Sequence, residues 1–115
     1  MKDFKVKFYL SDDEYFTALR LVSGAICSVA NVDVDTLEDF KLCVSESALI
    51  FKNCGFEQVQ ATFCVDGGVV AEICGLGGNP VAGDTTLSLS LISALLEKAQ
   101  IEKDKEVVKK VILRI

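Results

Sequence analysis

The sequence predicts a two-layer α/β sandwich of the α+β type, in which a mixed, mostly antiparallel sheet has its helices on one face. Segments with strand and helix periodicity follow one another in the order β-α-α-β-β-α-β-β. Two pairs of strands are joined by tight turns, at residues 66–68 and 104–105, and such turns connect antiparallel neighbours. Helices that each have an apolar face then need one side of the sheet to cover.

The chain opens with a predicted strand and helix. Residues Phe4 to Leu10 alternate apolar and basic side chains before becoming apolar, which indicates a strand with one exposed face. Ser11 is the expected N-cap of a helix that extends to about Ala30, since acidic residues fill its first turn. The predicted core face of this helix consists of Tyr15, Leu19, Val22, Ile26 and Val29.

The longest predicted helix extends from Asp35 to Gly55, with Asp35 and Glu38 as a capping box. Leu42 and Leu49 lie roughly opposite its main apolar face, so we expect the helix to be covered on two sides. The main apolar face consists of Leu37, Phe40, Val44, Ala48 and Phe51. A narrow strip, Lys41, Ser45 and Lys52, is polar.

Glu46 interrupts the apolar surroundings of this helix. At about 100° per residue it lies beside Leu42, Leu49 and Ile50, away from the polar strip. A carboxylate among aliphatic side chains needs a partner, a pocket or a shifted pKa. The alternative is an ordinary carboxylate at the rim that reaches water.

A hairpin, a glycine-rich loop, a third helix and a second hairpin complete the chain. The first hairpin pairs Phe56 to Val65 with Val69 to Cys74, and the loop spans Gly75 to Gly83. The third helix is expected over residues 85–99, capped by Asp84 and Thr85. Its predicted core face is Leu87, Leu91, Ala94 and Leu95. The closing strands are predicted at 100–103 and 106–115.

Composition excludes several classes of function. The net charge is −5 and no run of Lys or Arg is long enough to suggest a nucleic-acid footprint, so no nucleic-acid partner is expected. No apolar run approaches the roughly 20 residues of a membrane helix, and no secretory signal is visible, so the expected location is the cytoplasm without membrane attachment.

The cysteines and the missing histidines narrow the chemistry further. The five cysteines are odd in number and show no C-x-x-C spacing, which favours buried free thiols in a reducing compartment. The absence of histidine excludes Ser-His-Asp and Cys-His catalysis and most catalytic zinc sites, and no metal site is predicted.

The glycine-rich loop has neither the lysine of a P-loop nor the G-x-G-x-x-G spacing, and a plain turn remains an alternative. The order of a long helix with a carboxylate, a hairpin, this loop and a Leu/Ser helix nevertheless resembles the Bergerat-fold (GHKL) ATPases, in particular the bacterial anti-sigma-factor serine kinases. Residues 39–47 are similar to that family's D-(I/L)-K-x-A-V-S-E-A segment, and residues 89–97 to its L-x-L-I-x-x-L-M-D segment. The resemblance implies one histidine-kinase-like ATPase domain over residues 1–115.

The resemblance places the family's general-base glutamate at Glu46. Its Mg²⁺-binding asparagine falls on Ile50, whose aliphatic side chain offers no oxygen to a hard cation. Asn53 lies one turn farther on, near the same face. The first of the nucleotide boxes therefore retains the base and lacks the metal ligand.

The other nucleotide boxes are altered as well. The adenine-binding aspartate of the family corresponds to Cys74, followed by Gly75, Gly77 and Gly78. A thiol is a poor acceptor for the adenine amino group. The two phosphate-binding glycines correspond to Thr86 and Ser88, and the lid between these boxes is shortened to about half.

Two functional hypotheses follow from this resemblance. The first is a regulatory module that binds proteins without phosphoryl transfer and without a cofactor. Its partners would be a sigma factor, an anti-sigma antagonist or a second copy of the chain, the homodimer forming through the first strand and helix. The alternative is a divergent serine/threonine kinase that uses ATP and Mg²⁺ to phosphorylate an anti-sigma antagonist, with Glu46 activating the hydroxyl.

Overall fold

The computed structural model describes residues 2–115 and confirms the predicted fold class and element order. Three helices pack on one antiparallel sheet of five strands within this part of the chain. The elements are β1 (Phe4–Tyr9), α1 (Glu14–Val29), α2 (Val34–Asn53), β2 (Gln58–Val65), β3 (Val69–Leu76), α3 (Thr86–Leu95), β4 (Ala99–Asp104) and β5 (Val107–Arg114).

The strands lie in the order β1-β2-β3-β5-β4, and every neighbouring pair is antiparallel. Both predicted hairpins are present, and β1 and β4 form the two edges of the sheet. The turn of the second hairpin lies at Lys105 and Glu106, one residue later than predicted. Both residues have positive φ, as the type I′ turns that suit hairpin twist require.

Buried and more exposed side chains alternate along the strands, so one face of the sheet packs against the helices and the other is the outer face. On β2, Val59, Ala61 and Phe63 are buried, and on β3 the buried Ile73 lies opposite Ala61. The helix α2 lies over β2, β3 and β5, and α1 and α3 pack beside it. The predicted apolar face of α2 is confirmed, since Phe40, Val44, Ala48 and Phe51 are fully buried.

Two predicted helix starts are wrong. The N-cap of α2 is Asp33 rather than Asp35, because the Asp33 carboxylate accepts a hydrogen bond from the Thr36 backbone N–H at 3.1 Å. Hydrogen bonding to the side chain of Thr36, and then to its backbone N–H, lowers the pKa of Asp33. The N-cap of α1 is Asp13 rather than Ser11, without a side-chain capping bond. The predicted end of α2 is confirmed, since Gly55 follows its C-cap with φ of 86°.

The predicted inner face of α3 is also wrong. Ser88 and Ile92 are its buried residues, whereas Leu87 is 74% exposed and Ala94 is exposed. The helix ends at Leu95 because Leu96 is extended, which leads the chain into β4. Leucines at nearly every other position make several faces of this segment apolar, so its periodicity does not define one inner face.

The buried face of α1 differs in part from the predicted core face. Its buried residues are Leu19, Ser23 and Cys27, while Tyr15 and Val29 are exposed. The polar strip of α2 faces α1: a Cβ on Gly24 would lie 3.3 Å from the Lys41 side chain, and Lys52 pairs with Asp13. Ser45, in the same strip, is buried and donates to the Leu42 carbonyl.

None of the five cysteines, all of them within the described residues, forms a disulfide, as predicted, but only Cys27, Cys43 and Cys54 are buried. Burial raises the pKa of Cys27 to about 11 and that of Cys43 to about 12, so both stay protonated near neutral pH. Cys64 and Cys74 are partly exposed because their strand positions face the outer side of the sheet. Among residues 2–115, no helix combines the length and the hydropathy needed to cross a membrane.

Candidate functional site

The helices α2 and α3 enclose a surface groove of about 520 Å³. Helical spacing places Glu46, Leu49 and Asn53 on one side of α2, along one wall. The start of α3 and the residues before it supply the other wall, Asp84, Leu87 and Ser88. The fold therefore brings together three residues that the sequence singled out, Glu46, Asn53 and Ser88.

Glu46 is held at the rim of this groove by a hydrogen bond across the two helices. The Ser88 hydroxyl donates to Glu46 Oε2 at 2.8 Å. Ser88 is 5% exposed, while Glu46 is only partly buried. The carboxylate thus has a partner and also lies close to water, so both features considered from the sequence apply.

We expect Glu46→Gln to change the free energy of unfolding by less than about 1 kcal/mol, because the amide oxygen still accepts the Ser88 hydroxyl. Urea denaturation at neutral pH measures this difference. Ser88→Ala is the control, since it removes the donor and leaves the carboxylate in place. A loss above about 2 kcal/mol for Glu46→Gln would show that the carboxylate is held by a charge-assisted network.

The groove has a negative lining. Glu46 and Asp84 carry its charges, and none of the described residues that line it is Lys or Arg. The Asp84 carboxylate also accepts a hydrogen bond from the Thr86 backbone N–H at 3.2 Å. This carboxylate thus lies at the helix N-terminus where backbone N–H groups would otherwise face a phosphate. Thr86 itself is exposed.

The residues present do not fit Mg²⁺ with ATP. Ile50 is fully buried, so the residue that the resemblance aligns with the metal-binding asparagine faces the hydrophobic core and not the groove. Asn53 does line the groove, beside Glu46, but a triphosphate there would meet two carboxylates and no cationic side chain among the described lining residues.

Cys74 lies away from this groove. Its neighbour Ile73 faces the helices, so Cys74 faces the outer side of the sheet, opposite Gln60 and Lys110. Partial burial raises the pKa of the Cys74 thiol, although Lys110 opposes that change. The structure thus places the thiol and Glu46 on opposite faces of the sheet.

The glycines after Cys74 lie in close contact with residues 55–57. A Cβ on Gly75 would lie 2.5 Å from the Phe56 ring, and one on Gly78 would lie 2.4 Å from the Gly55 carbonyl oxygen. Gly77 has φ of 67° and lies beside Glu57. The Val81 N–H donates to the Cys54 carbonyl at 2.8 Å, which ties the loop to the end of α2. These contacts favour the plain-turn interpretation of the loop.

Sequence reasoning missed two lining residues. Asp84 was expected only as a helix cap and Leu87 only as a core residue, yet both line the groove. The spacing of Leu42 and Leu49 on the second apolar side of α2 was the one available indication of an unusual surface there.

Comparison of the chain with models of protein families finds no match, and comparison with curated proteins finds none either. The resemblance to anti-sigma-factor kinases therefore stays a prediction.

Proposed function

We propose that this protein is a regulatory module of the anti-sigma-factor-kinase-like type, which binds other proteins and transfers no phosphoryl group. The observation that supports it most is the groove at Glu46, with two carboxylates in its lining and the position of the metal ligand buried in the core at Ile50. Phosphoryl transfer depends on positioned phosphates and metal, and these residues position neither. Free thiols fit a cytoplasmic location.

A homodimer through β1 and α1 is part of this proposal. β1 is an edge strand, and Phe4, Tyr9 and Tyr15 are exposed large side chains on these two elements. An open strand edge with aromatic side chains beside it can pair with its own copy about a two-fold axis. We expect multi-angle light scattering to give the mass of a dimer at tens of micromolar, a concentration chosen for moderate affinity. A monomer mass throughout that range would contradict this part of the proposal.

The other proposed partner is a protein similar to a sigma factor or an anti-sigma antagonist. We expect the immobilised protein to capture a partner from native lysate equally well with EDTA and with Mg²⁺ and ATP, because binding uses protein surfaces alone. Mass spectrometry of the eluate identifies the captured proteins. A resin without the immobilised protein is the control for non-specific capture. Capture that requires Mg²⁺ and ATP, or a captured protein that becomes phosphorylated, would contradict the proposal.

A further inference from the structure

Two exposed leucines line the groove between α2 and α3, and a third, Leu42, lies two turns earlier on α2 beside Arg20 and Lys41. Leu42 and Leu49 are 40% and 36% exposed, and Leu87 is 74% exposed. Leu42, Glu46, Leu49 and Asn53 follow one another at helical spacing along the same side of α2. Leu49 and Leu87 belong to the two walls of the groove, so apolar side chains line it from both helices. Exposed aliphatic side chains gathered at a groove are typical of a binding surface.

The charges that line the groove are acidic. They belong to Glu46 and Asp84, and none of the described lining residues is Lys or Arg. The two lysines of α2 lie toward α1, where Lys41 pairs with Glu38 of its own helix at 3.5 Å and Lys52 pairs with Asp13. The surface thus combines leucines with carboxylates, and its complement is an element that combines apolar and basic side chains.

We propose that this groove is the docking site for a basic amphipathic helix of a partner protein. The inference rests on the proposed protein-binding function and names the surface and the chemistry of the partner. The apolar face of the partner helix covers Leu49 and Leu87, as in other helix-in-groove complexes. A lysine or arginine on its border extends its aliphatic stem between Leu49 and Leu87 and brings its charge to Glu46 and Asp84.

The test uses two synthetic fluorescent helices that share one leucine face. One has lysine on its polar border and the other has glutamate at the same positions. We expect the lysine helix to bind saturably in fluorescence anisotropy and to weaken as salt is raised, and the glutamate helix not to bind. In amide NMR spectra, the lysine helix should shift the signals of residues 46, 49, 87 and 88. Equal binding of both helices, or shifts confined to other elements, would overturn the inference.

Leu87→Ser tests the groove directly, since this side chain is too exposed to matter for folding. We expect it to weaken binding of the lysine helix at least about tenfold, as truncation of an apolar anchor commonly does. Val34→Ser is the matched control: Val34 is 71% exposed, also lies in the first turn of a helix, and is absent from the groove lining. Unchanged binding by Leu87→Ser would overturn the inference.

Three further outcomes are distinguishable from these. If Leu87→Ser converts a dimer to a monomer in light scattering, the occupant is a second copy and the inference is wrong. If Leu87→Ser captures its partner from lysate as well as the parent protein does, docking occurs elsewhere: the inference fails while the proposed function stands. If the parent protein requires Mg²⁺ and ATP for capture, the proposed function itself fails.

Discussion

Ile50→Asn is expected to lower the free energy of unfolding by about 3–5 kcal/mol and to confer no nucleotide binding. Ile50 is fully buried, so the substitution removes aliphatic packing and places an amide in the core without a designed partner. The resemblance to anti-sigma-factor kinases aligns residue 50 with the metal-binding asparagine. It therefore predicts the opposite result, that an asparagine here is tolerated and favours nucleotide binding. Urea denaturation measures the stability, and calorimetry with Mg²⁺ and ATP measures binding.

Leu49→Asn is the control for this experiment. Leu49 is the preceding residue of the same helix and lies at the surface of the groove. We expect it to cost less than about 1 kcal/mol, as is usual for surface substitutions. An Ile50→Asn protein as stable as the Leu49→Asn protein, or one that binds ATP, would show that residue 50 faces the groove.

Gly78→Ala is expected to destabilise the protein by about 2–4 kcal/mol, through left-handed backbone strain and displacement of neighbouring backbone. Gly78 has φ of 72°, and an added Cβ would lie 2.4 Å from the Gly55 carbonyl oxygen and 2.9 Å from the Glu57 nitrogen. Backbone atoms cannot move aside as the end of a flexible side chain can. The loop would therefore separate from the end of α2, and urea denaturation measures the loss.

Gly67→Ala is a closely matched control for the backbone strain. Gly67 has φ of 68°, and a Cβ there would meet nothing within 4 Å. We expect this substitution to cost only about 1–2 kcal/mol, the penalty for a left-handed residue with a side chain. Equal losses for the two variants would mean that the contact with Gly55 contributes nothing and that the loop is not held by close packing.

The sequence predicts the fold well because its strongest patterns are local. The turn at residues 66–68 specifies one hairpin, and Gly55 specifies the end of α2. The N-cap of a helix is harder to predict from sequence. Asp33 and Asp35 are the same residue type two positions apart, and the backbone geometry decides which of them caps α2. The inner face of α3 was wrong because leucines surround that helix, and only packing against α2 decides that Ser88 lies inward.

The candidate site was less predictable because it depends on contacts between distant residues. Glu46 and Ser88 are 42 positions apart, and no spacing rule joins them. The placement of Cys74 depends on strand alternation, where a shift of one residue changes the face of the sheet. The glycines of the loop are visible in the sequence. The contacts with residues 53–57 that require glycine at these positions form only when the chain is folded.

The central claim is that the groove at Glu46 serves protein binding and not a nucleotide. Titration calorimetry of the full chain with ATP and Mg²⁺ tests it most directly, with EDTA in a parallel cell. We predict no saturable heat up to about 1 mM ATP, since no described residue of the groove lining offers a cation and two offer carboxylates. A saturable, Mg²⁺-dependent isotherm in the micromolar range that Glu46→Gln or Asn53→Ala abolishes would contradict the account.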